Sequence, residues 1–225
     1  MMRFRFIRCS SALLLCAALS ACSVIDIKDN VVGNPEAASD TYAKNKNSHG
    51  VVLLDVNWGR VWGCAKYENA QLVTFAFDRM PLKRSNAEPA EFIVTTPGRL
   101  SAKQAFESYA YQVPPGEYAL SHFKIKVAQS ASNVGYFVAG QNDLLKDGKP
   151  YAGSFRVGAG ETVYIGNFSL DCYKQPTLWR YYTEGKSNFK SHIAQYANKY
   201  PFLDLGNVTY RLFDTQVIGR AYELK

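Results

Sequence analysis

From residue 50 onward, short apolar runs alternate with turn residues, a pattern that favours strands over helices. Residues 51–56, Val-Val-Leu-Leu-Asp-Val, are long enough for a strand buried on both faces and too short for a helix. In 72–77, Val73, Phe75 and Phe77 share one face. Segment 91–96 stops at the turn pair Pro97-Gly98, and 109–113 runs into Pro114-Pro115-Gly116. Segment 117–127 ends in clean alternation, with Phe123, Ile125 and Val127 inward and Lys124 and Lys126 outward. Further strands are predicted at 134–139, 153–157, 161–172, 177–183, 207–213 and 215–222. In 161–172 the phase of Val163 and Ile165 gives way to that of Phe168 and Leu170, which predicts a bulge near Gly166-Asn167.

One segment keeps a different period. Phe189, Ile193 and Tyr196 fall at i, i+4 and i+7 within 187–199, one stripe of a helix with Ser187 available as N-cap and Pro201 as stop. Many short strands and a single late helix predict a mainly β domain over residues 49–225, an antiparallel β-sandwich with one C-terminal α-helix.

The N-terminus has another character. Arg3, Arg5 and Arg8 precede an apolar stretch at 11–19 that is too short to span a bilayer, the form of an export signal. It closes in Leu19-Ser20-Ala21-Cys22, which resembles the bacterial lipobox. That resemblance implies a signal peptide over 1–21, cleavage before Cys22 and a diacylglycerol thioether on the Cys22 sulfur. It also implies a membrane partner, because two or more acyl chains hold a protein firmly where one does not. Ser23 follows where an Asp would imply retention in the inner membrane, so the expected location is the outer membrane, facing the periplasm. Residues 22–48 are polar after Val32 and read as a flexible tether. About 26 such residues have a root-mean-square reach of roughly 28 Å.

Removal of 1–21 leaves 225 − 21 = 204 residues and lowers the net charge from +7 to 7 − 3 = +4. The basic residues are scattered and no run exceeds Lys83-Arg84, so the balance argues against nucleic acid as a partner. Cys64 and Cys172 are the two cysteines left after Cys9, Cys16 and Cys22 are accounted for. In an oxidising compartment they are expected to pair, the alternative being two separate buried thiols.

Two segments resemble a known group. Residues 111–120, Tyr-Gln-Val-Pro-Pro-Gly-Glu-Tyr-Ala-Leu, resemble a hairpin of prealbumin-like and carboxypeptidase-regulatory-like sandwich domains, and 155–166 resemble a later strand of that group. The similarity covers roughly 105–172 and rests on turn chemistry plus alternation. It implies a compact sandwich used for binding or assembly.

Catalytic patterns are missing from the sequence. There is no G-x-S-x-G and no convincing S-x-x-K, and His49, His122 and His192 lie far apart, outside any metal-ligand spacing. Gly158-Ala159-Gly160-Glu161 precedes a strand and not a helix, so it reads as a turn and not a phosphate loop. The expectation is therefore a non-enzymatic protein with neither metal nor cofactor. Trp58 and Trp62 bracket Gly59-Arg60-Val61, and Trp179, Tyr181 and Tyr182 flank Arg180. Exposed, such clusters bind a protein or stack on sugar rings; buried, they are core. Three roles follow: a binding or accessory module for an envelope protein, a carbohydrate or peptidoglycan binder, or a hydrolase whose site has no sequence signature.

Overall fold

The computed structural model describes residues 32–85, 88–97, 105–181 and 186–219. In order, the elements are α1 (Ser39–Asn45), β1 (Gly50–Asn57), β2 (Val61–Cys64), β3 (Tyr67–Met80), β4 (Phe92–Thr95), β5 (Phe106–Val113), β6 (Gly116–Ser130) and β7 (Asn133–Ala139). They continue with α2 (Gln141–Leu144), β8 (Leu145–Lys146), β9 (Lys149–Pro150), β10 (Ser154–Val157), β11 (Thr162–Asp171), β12 (Thr177–Tyr181), α3 (Lys186–Lys199) and β13 (Thr209–Tyr210).

The strands form a sandwich. One sheet has the order β12-β11-β1-β5, with β13 also on β11. The other has the order β10-β6-β3-β2, with β4 added to β3 and β7 to β6. Most pairs are antiparallel as expected, but β11 lies parallel to both β1 and β13. The central strand β1 is buried at all eight positions, because both of its faces are covered. Val52, Leu54 and Val56 face the core between the sheets, while Val51 and Leu53 face a second core on the outer side. That outer core is closed by α3, whose Ile193 and Tyr196 are buried there with Phe189 packed alongside. The helical stripe thus does what its spacing predicts.

The main core is aromatic. Phe77 alone meets Phe75, Phe92, Phe155 and Phe213 at centroid distances of 5.7, 5.5, 5.1 and 5.8 Å. The expected bulge is present: Leu53 faces Tyr164 and Asp55 faces Asn167, so two residues oppose Leu54 alone. Gly166 absorbs the kink with φ of 111°, a conformation that side chains rarely tolerate. The slip keeps Val163, Ile165, Phe168 and Leu170 all in the main core.

Other features differ from expectation. Pro114-Pro115 does not close a hairpin, because β5 belongs to one sheet and β6 to the other. It is a corner between sheets, pinned by the Tyr118 hydroxyl, which donates to the Pro114 carbonyl at 2.8 Å. Between 207 and 219 only Thr209–Tyr210 forms a strand, followed by bridges at Asp214 and Gly219. The backbone there is spent covering sheet edges.

The stretch read as a flexible tether is docked from Asn34 onward. Asn34 bonds Ile93 through N–H to carbonyl (2.9 Å) and accepts the Ile93 N–H on its side chain (2.8 Å). The Ala37 N–H donates to the Ala110 carbonyl, Ala37 is buried, and Tyr42 on α1 packs into the outer core. Backbone pairing to β4 and β5 explains why a polar composition did not leave this segment loose.

Candidate functional site

Each sheet has an outer face, and the two are treated differently. Helix α3 covers that of the β1 sheet. On the β6 sheet, α2 and the loop after β3 cover only the end near Asp78. Elsewhere three cross-strand rows have no covering element among the described residues, although Ala128, Gln71 and Thr74 within them are buried. Register places Trp62 opposite Asn69, Asn69 opposite Ala128, and Ala128 opposite Val134. The next rows run Gln71, Lys126, Tyr136 and Thr74, Lys124, Val138. Val134, Tyr136 and Val138 are 46%, 46% and 45% exposed, and Trp62 is 58% exposed. Alternation turns Phe137 and Ala139 into the core and leaves these apolar side chains in water, so the strand spends hydrophobic residues on the wrong side for folding. The Lys124 ammonium lies 4.7 Å from the centre of the Tyr136 ring, a cation–π contact that leans it toward β7. The rows carry two lysines and no acid.

Sheet edges show the same contrast. The far side of β5 receives the Ala37 N–H and that of β4 pairs with Asn34. Ser154 on β10 exchanges both backbone bonds with Asp214, and Arg180 on β12 donates its N–H to Ile218. Strand β2 is only four residues long. Strand β7 runs seven residues, pairs with β6 alone among the described strands, and contains no charge and no proline.

The aromatic residues singled out in sequence do not form one surface. Trp58 is buried, with its indole N–H donating to the Tyr109 hydroxyl at 2.8 Å. Trp62, four residues on, is exposed with the Arg60 guanidinium 5.4 Å from its ring. Trp179 is half-buried, and Tyr181 is 39% exposed with its hydroxyl committed to the Leu170 carbonyl. Tyr182 and Cys22 lie outside the described residues. Cys64 and Cys172 form a disulfide with Cα atoms 4.7 Å apart, joining β2 to the end of β11 across the sandwich.

A polar cluster that sequence reasoning missed sits under α3. Asp55 is buried, and its carboxylate accepts from the Ser108 hydroxyl (2.6 Å) and the Tyr196 hydroxyl (3.0 Å), with His192 Nε2 at 2.7 Å. Burial, reinforced by the Asp55 charge, pushes the Tyr196 phenol well above its ordinary range. The carboxylate–histidine pair is one half of a nucleophile-activating relay, but Ser108 donates to the carboxylate and not to the ring. This cluster ties β1, β5 and α3 together. An aspartate inside an otherwise apolar strand was the available signal. A second buried carboxylate, Asp78, takes the Arg84 guanidinium on both oxygens (2.5 Å each), the Gln141 amide at 3.1 Å and the Glu91 N–H at 3.2 Å. Burial alone would raise its pKa; these donors outweigh that and hold it below the usual carboxylate range.

Among the described residues no helix is long and apolar enough to cross a membrane, and no group of three acidic, His or Cys residues is placed to hold a metal ion. Comparison of the chain with known protein families, curated proteins and solved structures gives no match.

Proposed function

We propose that the chain is a non-enzymatic lipoprotein, cleaved ahead of Cys22 and held by lipid at the outer membrane, whose sandwich binds a protein partner in the envelope. The observation that carries the binding role is the open face of the β6 sheet: Trp62, Val134, Tyr136 and Val138 stay exposed in a fold that covers the equivalent face of its other sheet. Exposed aromatic and aliphatic side chains beside lysines have the composition of an interface centre and its rim. A glycan reading has less support, because Trp58 is in the core and Trp62 lacks the second tryptophan that its sequence neighbourhood offered.

The test is photo-crosslinking in intact cells, with a photoreactive residue at 62, 136 or, as control, 217. Val217 is also 46% exposed but sits on the C-terminal segment over β12. One envelope protein joined at 62 and 136 but not at 217 supports the reading. Equal, diffuse labelling at all three positions overturns it.

A further inference from the structure

We infer that β7 accepts an extended, acidic segment of a protein partner as an added strand of the β6 sheet. This inference rests on the partner-binding reading and specifies its mode. Natural sheets protect their edges with lysine, proline, bulges, short strands or a covering segment, since an open edge pairs with any available strand. This molecule follows that practice at β4, β5, β10 and β12, each of which gives backbone hydrogen bonds to a covering segment. Its second cover, Asp214 and Ile218, comes from a C-terminal stretch that has almost no other regular structure. Strand β7, Asn-Val-Gly-Tyr-Phe-Val-Ala, has no lysine, no proline and no covering segment among the described residues, and past a register shift at Asn133 its pairing to β6 is continuous from Val134 to Ala139. A seven-residue strand without a cover among the described residues, in a fold that covers β4, β5, β10 and β12, is a place for another chain.

The chemistry of that chain follows from the flanking side chains. Neighbouring strands lie about 4.8 Å apart, so outward side chains of an added strand stand beside Val134, Tyr136 and Val138. There they meet Lys124, whose ammonium already lies over Tyr136, and Lys126 in the adjoining row, with no acid in either row. Carboxylates in the outward phase complement the positive charge of Lys124 and Lys126. Apolar residues in the inward phase continue the core past Phe137, which is buried edge-on against Tyr67. The partner segment therefore alternates acidic and apolar positions for about seven residues, the length of β7.

The probe is a capped peptide of alternating Glu and Val, seven residues long, offered to the full-length chain in detergent micelles, with a Lys-Val peptide as control. Binding is followed by fluorescence and amide exchange by NMR. The expected result is slowed exchange at every second β7 amide, with the Lys-Val peptide at least about tenfold weaker, since like charges in register oppose binding. The pair Lys124→Glu and Lys126→Glu should reverse the preference. If that protein does not fold, Lys124→Ala with Lys126→Ala should abolish it. Binding that leaves β7 exchange unchanged or ignores peptide charge overturns the inference, as does a dimer that protects β7 without peptide. Crosslinks at 136 to a partner alongside a failed peptide overturn only the strand mode. Loss of both overturns the binding reading as well.

Discussion

His192 Nε2 lies 2.7 Å from Oδ2 of Asp55, a residue 137 positions earlier, and that contact fastens α3 to the central strand of the sandwich. Asp55 also receives Ser108 and Tyr196, so one buried carboxylate organises three elements. Asp55→Asn replaces an acceptor oxygen by a donor and leaves the bonds of Ser108, His192 and Tyr196 in conflict. The expected loss is about 2–4 kcal/mol in urea unfolding, because breaking one partner of a buried charged network strands the others. Amides of α3 should exchange faster than those of β6. A change below about 0.5 kcal/mol, the scale of an ordinary surface substitution, would show that the cluster does not hold the helix.

Asp78 gives a stability that depends on pH. Its folded pKa is depressed, so between the folded and unfolded values the unfolded chain binds more protons, and stability rises with pH there. The contribution is fully present above the unfolded value near 4 and drains away as pH falls through the folded one. Wild type should be more stable than Asp78→Asn at pH 7, and the gap should narrow below about pH 4. Parallel denaturation curves from pH 7 to pH 2.5 check this; a gap that widens on acidification has the wrong sign.

Much of this architecture was legible as alternation. The β11 bulge followed from a phase change between Ile165 and Phe168, and α3 from Phe189, Ile193 and Tyr196, since both patterns record which side of an element is buried. Edge protection was not legible. Ala37, Asp214 and Ile218 act through backbone groups, which carry no side-chain signature, and Asn34 combines its backbone N–H with its side-chain oxygen. The same holds for the exposed face, because Val134, Tyr136 and Val138 read as an ordinary strand until the covering of both sheets is known. Asp55 and His192 meet only in the folded chain, and 137 positions of separation hide such a pair from any spacing rule.

The disulfide closes a loop with a sequence separation of 108 residues and joins the two sheets. Chain-entropy reasoning gives about 4–5 kcal/mol for a loop of that size, with less expected where the unfolded chain keeps structure. Cys64→Ser and Cys172→Ser should lower the urea midpoint equally, and the double variant should be no worse than either. Peptide mapping without reductant should recover the linked pair; two alkylatable thiols in the native chain would refute it.

The three tryptophans differ enough in burial to be separated by quenching. Trp62 is exposed, Trp58 is in the core and Trp179 is half-buried. Trp62→Phe should remove most of the emission that acrylamide quenches. Trp58→Phe should remove a blue-shifted, protected component and weaken the fold, since Tyr109 then loses its indole donor. Equal quenching of the two variants would place both rings in the same environment and contradict the assignment.

The docking of Asn34 limits how far a lipid anchor on Cys22, as proposed, would let the domain stand from a membrane. Between Cys22 and Asn34 there are 33 − 22 = 11 residues, in place of the 26 that a free segment to Ser48 would supply. A link that short spans at most about 40 Å when fully extended. The sandwich should therefore ride close to the bilayer, and Cys22→Ala should release it into the soluble fraction, as unchanged membrane fractionation would disprove. Undocking the segment is a separate test of reach. Asn34→Ala with Ala37→Pro removes the side-chain bond to Ile93 and the backbone bond to Ala110 without touching Cys22. That variant should stay membrane-bound, yet give up short-range crosslinks to the lipid surface from the domain. If those crosslinks persist undiminished, the docked segment is not what holds the domain near the membrane.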